Sequence, residues 1–323
     1  MRRRGFIGLL GASVTWPFAA MAQQTAHAYR LGAASSSPRN SPLFAAMFDE
    51  LRRRGFIMGQ NLAVDWRSYG SRIDLIPEFA AELVKSQVDV ILVNGDAAIR
   101  AAQGATTTIP ILGITEDMVG SGLVNSLAEP GGNTTGVSIF ATELNGKRQE
   151  ILIEAVPEVH RMAVLADSNA TGSRELKALQ DAARARGVEL SIRHIASTEE
   201  ITAAIDAAKA LGATALNVLS SPFLYGNRQI VMQRVAALRL PAIYQFPEEA
   251  EEGGFVAYGP SIVQIFREPV TEQLVKLLRG IKPADIPVQQ PTKFELVINL
   301  KTAKAMGVTV PEALLVRADK VIE

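Results

Sequence analysis

The sequence has no cysteine, three histidines and little aromatic content, at 6% of 323 residues. Without cysteine there are no disulfides, no thiolate metal sites and no thiol nucleophile. A lipid anchor of the bacterial lipoprotein type, which needs a cysteine at the mature N-terminus, is excluded as well. Stability must come from packing. With 48% hydrophobic residues the chain is long enough for a core divided between two domains. His27, His160 and His194 have no carboxylate at metal-ligand spacing, so the expectation is structural histidines, no metal and no cofactor. The motifs G-x-S-x-G, G-x-x-x-x-G-K-[ST] and H-E-x-x-H are all missing. Gly120-Ser121-Gly122-Leu123-Val124-Asn125 stops short of a dinucleotide fingerprint and lies in the wrong context for one. Catalysis by carboxylates alone, as in a glycosidase, stays open. Charge of one sign is also lacking, with 33 Lys and Arg against 33 Asp and Glu. That balance gives no broad electrostatic footprint for nucleic acid or an anionic membrane.

The N-terminus carries an export signal. Arg2, Arg3 and Arg4 precede an apolar run from Gly5 to Ala20, and Ala20-Met21-Ala22 offers the small residues that a signal peptidase accepts. Cleavage is expected after Ala22. The run is interrupted by Pro17 and is shorter than the ~20 apolar residues that span a bilayer, which disfavours an uncleaved anchor. Arg3-Arg4-Gly5-Phe6-Ile7 fits a twin-arginine signal, and the general secretory route fits equally. Removing residues 1–22 leaves 30 basic against 33 acidic residues, a net charge near −3.

Beyond the signal, short β-branched runs alternate with amphipathic segments. Expected strands are Tyr29–Ala34, Leu62–Trp66, Val88–Val93, Ile109–Ile114 and Gly136–Phe140, then Met162–Ala166, Glu189–His194, Ala213–Leu219, Ala242–Gln245 and Phe255–Tyr258. Expected helices are Leu43–Arg54, Ile73–Lys85, Glu143–Ala155, Glu175–Arg186, Glu199–Leu211, Arg228–Leu238 and Ile262–Leu278. Ser41-Pro42 reads as a helix cap followed by proline at the first helical position, and Thr198 as a second cap. Near-continuous apolar strands separated by helices predict an α/β fold of two doubly wound parallel-sheet lobes. The Glu129–Asn133 turn precedes the last strand of the first sheet, and Phe140–Thr142 leads into the second. The final helix is expected to pack back on the first lobe.

Four stretches carry a resemblance: SLAEPGGNTTGVS (126–138), ELNGKRQEILIEAVP (143–157), EEGGFVAYGPS (251–261) and QQPTKFELVINLKTAKAMGVTVPEALLVRADKVIE (289–323). Together with RRRGFIGLLG and AQQ at the N-terminus, they resemble a bacterial family of ABC-transporter substrate-binding proteins. The resemblance implies a type I periplasmic binding-protein fold with two lobes joined by three crossovers, mapped to Phe140–Thr142, Tyr258–Pro260 and Gln290–Lys293. Lobe 1 is then residues 29–140 plus 259–290, and lobe 2 residues 141–258 plus 291–323. It also implies a strand at Phe294–Asn299 returning to the second lobe. Characterised members include tryptophan- and phenylalanine-type binders.

In open parallel sheets ligands bind beyond the carboxyl ends of the strands, and two facing sheets share one cleft there. Ser36 and Ser37, between a strand and a helix, offer hydroxyls and free N–H groups for a carboxylate; an ordinary cap and turn uses the same residues. Asn94 and Asp96 follow the most apolar strand, and Asp96 either caps the next helix or pairs with a ligand amine. Members of the family often carry Thr or Ser near Asp96, and read Gly-Asp-Pro where this chain has Glu116-Asp117-Met118 beside Thr115. Asp117 is expected to meet an amine, and Glu116 to be a solvated acid. On the second lobe Asn169 and Ser221 offer polar contacts, and Phe223, Tyr225, Tyr244 and Phe246 an apolar wall. Tyr244 is the foremost of these, because it ends a strand and its hydroxyl needs a partner.

The expectation is a soluble, monomeric periplasmic protein. It takes an amino-acid-like or carboxylate-bearing small-molecule solute and passes it to an ABC permease in the inner membrane. It is not an enzyme and has no nucleic-acid partner. An exported α/β hydrolytic enzyme and a ligand sensor for a signalling receptor are the alternatives. A DNA-binding regulator on the same lobes is disfavoured, because an export signal stands where a helix-turn-helix would be.

Overall fold

The computed structural model describes residues 28–139 and 141–323; the expected signal segment 1–22, His27 and Phe140 lie outside them. The first half runs β1 (Tyr29–Ser35), α1 (Pro42–Arg53), β2 (Leu62–Ser68), α2 (Ile76–Lys85), β3 (Val90–Asn94), α3 (Asp96–Ala105), β4 (Ile111–Thr115) and β5 (Thr134–Ser138). These five strands form one parallel sheet in the order β2-β1-β3-β4-β5.

The second half begins α4 (Ala141–Ala155), β6 (Arg161–Asp167), α5 (Ser173–Ala185), β7 (Glu189–Ile195), α6 (Thr198–Ala210) and β8 (Ala215–Val218). It continues α7 (Pro222–Gly226), α8 (Arg228–Ala237), β9 (Ala242–Tyr244), α9 (Pro247–Glu251) and β10 (Val256–Gly259). After α10 (Ile262–Ile265) and α11 (Thr271–Leu278), the chain closes with β11 (Glu295–Asn299), α12 (Leu300–Met306), α13 (Glu312–Leu315) and β12 (Lys320–Ile322). The second sheet has the order β12-β11-β10-β9-β8-β6-β7. It is not wholly parallel, because β11 arrives through a crossover and runs antiparallel to β10.

Each sheet is sandwiched. Helix α1 presents Leu43, Phe44, Ala46, Met47 and Leu51 to β1 and β3, at the three- and four-residue spacing of one helical face. Phe44 meets Trp66 and Phe266 edge-on, with ring centroids 4.4 and 5.1 Å apart. Ile262, Phe266, Val270 and Leu274 therefore belong to the first core although they follow the second sheet in sequence. The chain passes from one sheet to the other three times: after β5, after β10, and between Gln289, which bridges to Val137 beside β5, and β11.

Several elements differ from the sequence reading. Residues 73–75 form a 3-10 turn, and α2 begins at Ile76 because Pro77 fits only a first helical turn. Ser197, not Thr198, is the N-cap of α6. The expected Ile262–Leu278 helix is interrupted at Phe266–Val270 by a wider turn, since Pro269 has no N–H for the i→i−4 ladder. The Thr271 hydroxyl donates to the Phe266 carbonyl at 2.7 Å within that turn. Short elements α7, α9, α12, α13 and β12 lie outside the apolar periodicities.

Candidate functional site

The carboxyl ends of both sheets face each other and the lobes touch. The Ser36 hydroxyl donates to the Pro222 carbonyl at 3.3 Å, joining the β1–α1 loop to the start of α7. Gly95, the N-cap of α3 at φ +84°, lies opposite Pro222. A Cβ there would stand 3.1 Å from the proline ring, so a residue without a side chain permits this approach.

Two neighbouring spaces open along this seam and share Ser36, Asn94, Glu116 and Pro222. The first has apolar walls from Leu43, Ile114, Ile139, Tyr225, Phe246 and Phe266, with a polar rim of Ser35, Ser37, Thr115, Ser221 and Gln245. Tyr225 stands edge-on to Phe246 at 5.3 Å, and the Arg228 guanidinium, paired with Glu252, caps its other face at 4.4 Å. The second space is acidic. Asp96, Glu116 and Asp117 line it from the first lobe, Asp167 and Glu175 from the second. Among the described residues no Lys, Arg or His lines either space.

The acids are held in place. Thr115 Oγ1 lies 3.1 Å from Glu116 Oε2 and also bonds Asp96 Oδ1. Glu116 is half-buried between the lobes, and desolvation with Asp96 and then Glu175 as negative neighbours pushes its pKa up to about 7. The Thr115 hydroxyl thus lies between the Glu116 and Asp96 carboxyl groups and donates to them. Burial also raises Asp167 and Glu175 above the ordinary carboxylate range. Asn145 donates to Glu175, and the Asn169 N–H to Asp167 Oδ1 at 2.9 Å.

Beneath this space lies Arg148 on α4, fully buried. Its Nε donates to the Tyr258 carbonyl (2.7 Å), Nη1 to Asn145 Oδ1 (2.8 Å) and Ser220 Oγ (2.7 Å), and Nη2 to the Gln245 carbonyl (3.0 Å). Burial lowers its pKa to about 10, which leaves it charged at neutral pH. Every nitrogen of the guanidinium is thus engaged by the second lobe.

Nine of the ten residues singled out from sequence meet along this seam. Ser37, Thr115 and Ser221 line the first space; Asp96, Asp117, Asn169 and Phe223 line the second; Ser36 and Asn94 line both. Tyr244 does not join them. It is 1% exposed in the core of the second lobe, among Leu165, Leu216 and Val297, because all three residues of β9 are buried. Asp96 is not the cap of α3, which is Gly95; as the first helical residue it turns its carboxylate toward Thr115. Asp117 is exposed and accepts the Gly120 N–H at 2.8 Å, as a turn residue does. Glu116, read as a solvated acid, is half-buried at the seam. Sequence reasoning also passed over Glu175, Gln245 and Arg148, which reach the seam through helix direction and lobe approach.

Residues 43–322 match the family described as ABC transporter substrate binding protein. A tyrosine-binding protein of Clostridioides difficile strain R20291 is 24% identical over 258 residues, 79% of this chain and 74% of that one. Among solved structures, a conserved domain protein from Vibrio cholerae superposes with a TM-score of 0.81 at 23% identity. An ABC domain in complex with L-Trp from Streptococcus pneumoniae superposes at 0.79 and 24%. The ligand-free, open structure of a substrate-binding protein with adhesive properties from Clostridium difficile gives 0.60 at 22%. Each covers 91% of this chain and 99% of the other. These likenesses establish the two-lobed fold.

Proposed function

The chain belongs to the ABC transporter substrate-binding protein family, as the resemblance in its sequence implied, and on that premise we propose that it captures an amine-bearing, amino-acid-like solute between its lobes. The observation that carries this reading is the pairing of an apolar space with an acidic one across the lobe contact. Apolar walls with a few placed polar groups are the usual construction of a small-molecule site. The solute's amine faces Asp96 and Glu116, hydroxyls and N–H groups of the Ser36–Ser37 loop meet its polar rim, and its body rests against Tyr225 and Phe246. The printed ligands of two relatives, tyrosine and tryptophan, support an amino-acid-like body.

The chain acts as a carrier and not as an enzyme. It hands its solute to an ABC permease, which distinguishes open from closed lobes. Export to the periplasm is supported by the basic and apolar N-terminal segment, and no helix of the described residues is long and apolar enough to cross a membrane. Contact with solute is assigned to Ser36, Ser37, Asn94, Asp96, Thr115 and Ser221, with Asp117, Asn169 and Phe223 at the acidic side.

A melting-temperature screen of residues 23–323 against amino acids, amines, sugars and ions tests this. A solute at 100 times its Kd stabilises a protein by ~2.7 kcal/mol, which is about 5 °C for a chain of this size. The expected result is a shift with amine-bearing solutes that are recovered unchanged. A shift only with sugars or ions, or conversion of the solute, overturns the reading.

A further inference from the structure

We propose that the cleft selects a solute of net positive charge, an amine without a free carboxylate, over the zwitterionic amino acid with the same body. This rests on the cleft being the solute site and names the charge class that the site takes.

The first ground is the imbalance of the lining. Five carboxylates come from α3, β6, α5 and the loop after β4, with no cationic side chain among the described residues lining either space. The two cations next to the lining are both engaged: Arg148 through all three of its nitrogens with the second lobe, and Arg228, behind Tyr225, with Glu252. A ligand carboxylate entering here meets like charges, with no side chain to neutralise it; an ammonium meets Asp96, Glu116 and Glu175.

The second ground is independent of the acids. Gln245 is 1% exposed and lines the apolar space, and its Nε2 has no partner among the described residues. Asn94, at the meeting of the two spaces, has an equally unpartnered Oδ1. Buried polar atoms are rarely left without a partner, so both point to groups on a ligand. The Asn94 oxygen suits an ammonium N–H. The Gln245 amide suits an acceptor at the far end of an apolar body, such as a phenolic oxygen. Cation, apolar body and distal acceptor are the three parts of a hydroxyaryl alkylamine.

The raised pKa values agree. Glu116, Asp167 and Glu175 are all disfavoured as anions by burial, and Glu116 also by Asp96 and Glu175. An ammonium relieves that cost, and a zwitterion relieves less of it because it brings its own anion.

Calorimetric titration of residues 23–323 with matched pairs decides the matter: tyramine against tyrosine, and tryptamine against tryptophan, at pH 8. The expected result is an amine at least tenfold tighter than its amino acid, with tyramine tighter than phenethylamine. Asp96→Asn and Glu175→Gln should narrow the tyramine-to-tyrosine ratio, and Gln245→Met the tyramine-to-phenethylamine ratio, with melting curves confirming that each variant folds. Tyrosine binding as tightly as tyramine or tighter overturns the inference and leaves the amino-acid-carrier reading standing. Silence from both members of both pairs overturns it too, and the melting screen then judges the carrier reading by itself.

Discussion

Glu116 shows how one side chain can tie binding to pH. Its pKa is raised to about 7, first by burial and then by Asp96 and Glu175, which face it from α3 and α5; Arg148 of α4 acts in the opposite sense. Below pH 7 it is neutral. Above pH 7 it is an anion that holds a cation. Amine affinity should therefore fall as pH drops from 8 to 6, by up to tenfold per unit where a single proton must leave, and level off above 7. Glu116→Gln should flatten that profile and weaken binding at pH 8. Titration calorimetry across the range checks it, and affinity that rises toward pH 6 contradicts it. The same residue marks a limit of reading sequence. Thr115-Glu116-Asp117-Met118 ends a strand like any polar loop, and nothing local says that its first acid is half-buried. Part of its setting is Glu175, brought to the same space by a separate lobe. Tyr244 illustrates the reverse. A strand of three residues has too little alternation to tell its two faces apart, so a terminal tyrosine passed for a cleft residue.

The strands and helices were largely legible because each carries its own apolar period. Boundaries moved where a single residue outweighed the period. Pro269 is plain in the sequence, yet apolar spacing continues on both sides of it, so the interruption at Phe266–Val270 was read through. At the sheet, β4 and β5 depend on a pair of glycines in register, Gly113 opposite Gly136. Gly136 has φ +154°, and a Cβ there would fall 1.7 Å from the Gly113 carbonyl oxygen. No rotamer relieves a contact between Cβ and backbone. Gly136 also accepts the Gln273 amide at 3.1 Å, tying β5 to α11. Gly136→Ala should thus destabilise the chain by ~3 kcal/mol or more, the upper range for forced overpacking. Urea unfolding measures this, and a cost below 1 kcal/mol contradicts the close approach.

At the scale of the whole molecule, three chain passages join two lobes whose facing edges form the site. Strand–helix alternation made two sheets legible, and the stretches at 126–157, 251–261 and 289–323 made the crossovers legible. The distribution of charge in the cleft was not, since it depends on which acids face each other when the lobes meet. The lobes touch where the Ser36 hydroxyl donates to the Pro222 carbonyl. A bound solute is expected to hold the lobes in this arrangement. Because the chain has no cysteine, Val119→Cys and Arg174→Cys, at exposed positions on opposite lips, take spin labels at those two sites alone. Pulsed electron resonance would then read the distance between the lips with and without a panel of amines and amino acids. The expected result is a broad distribution in the free protein that narrows to its shorter part with a bound amine. A distribution that no amine or amino acid changes would contradict it.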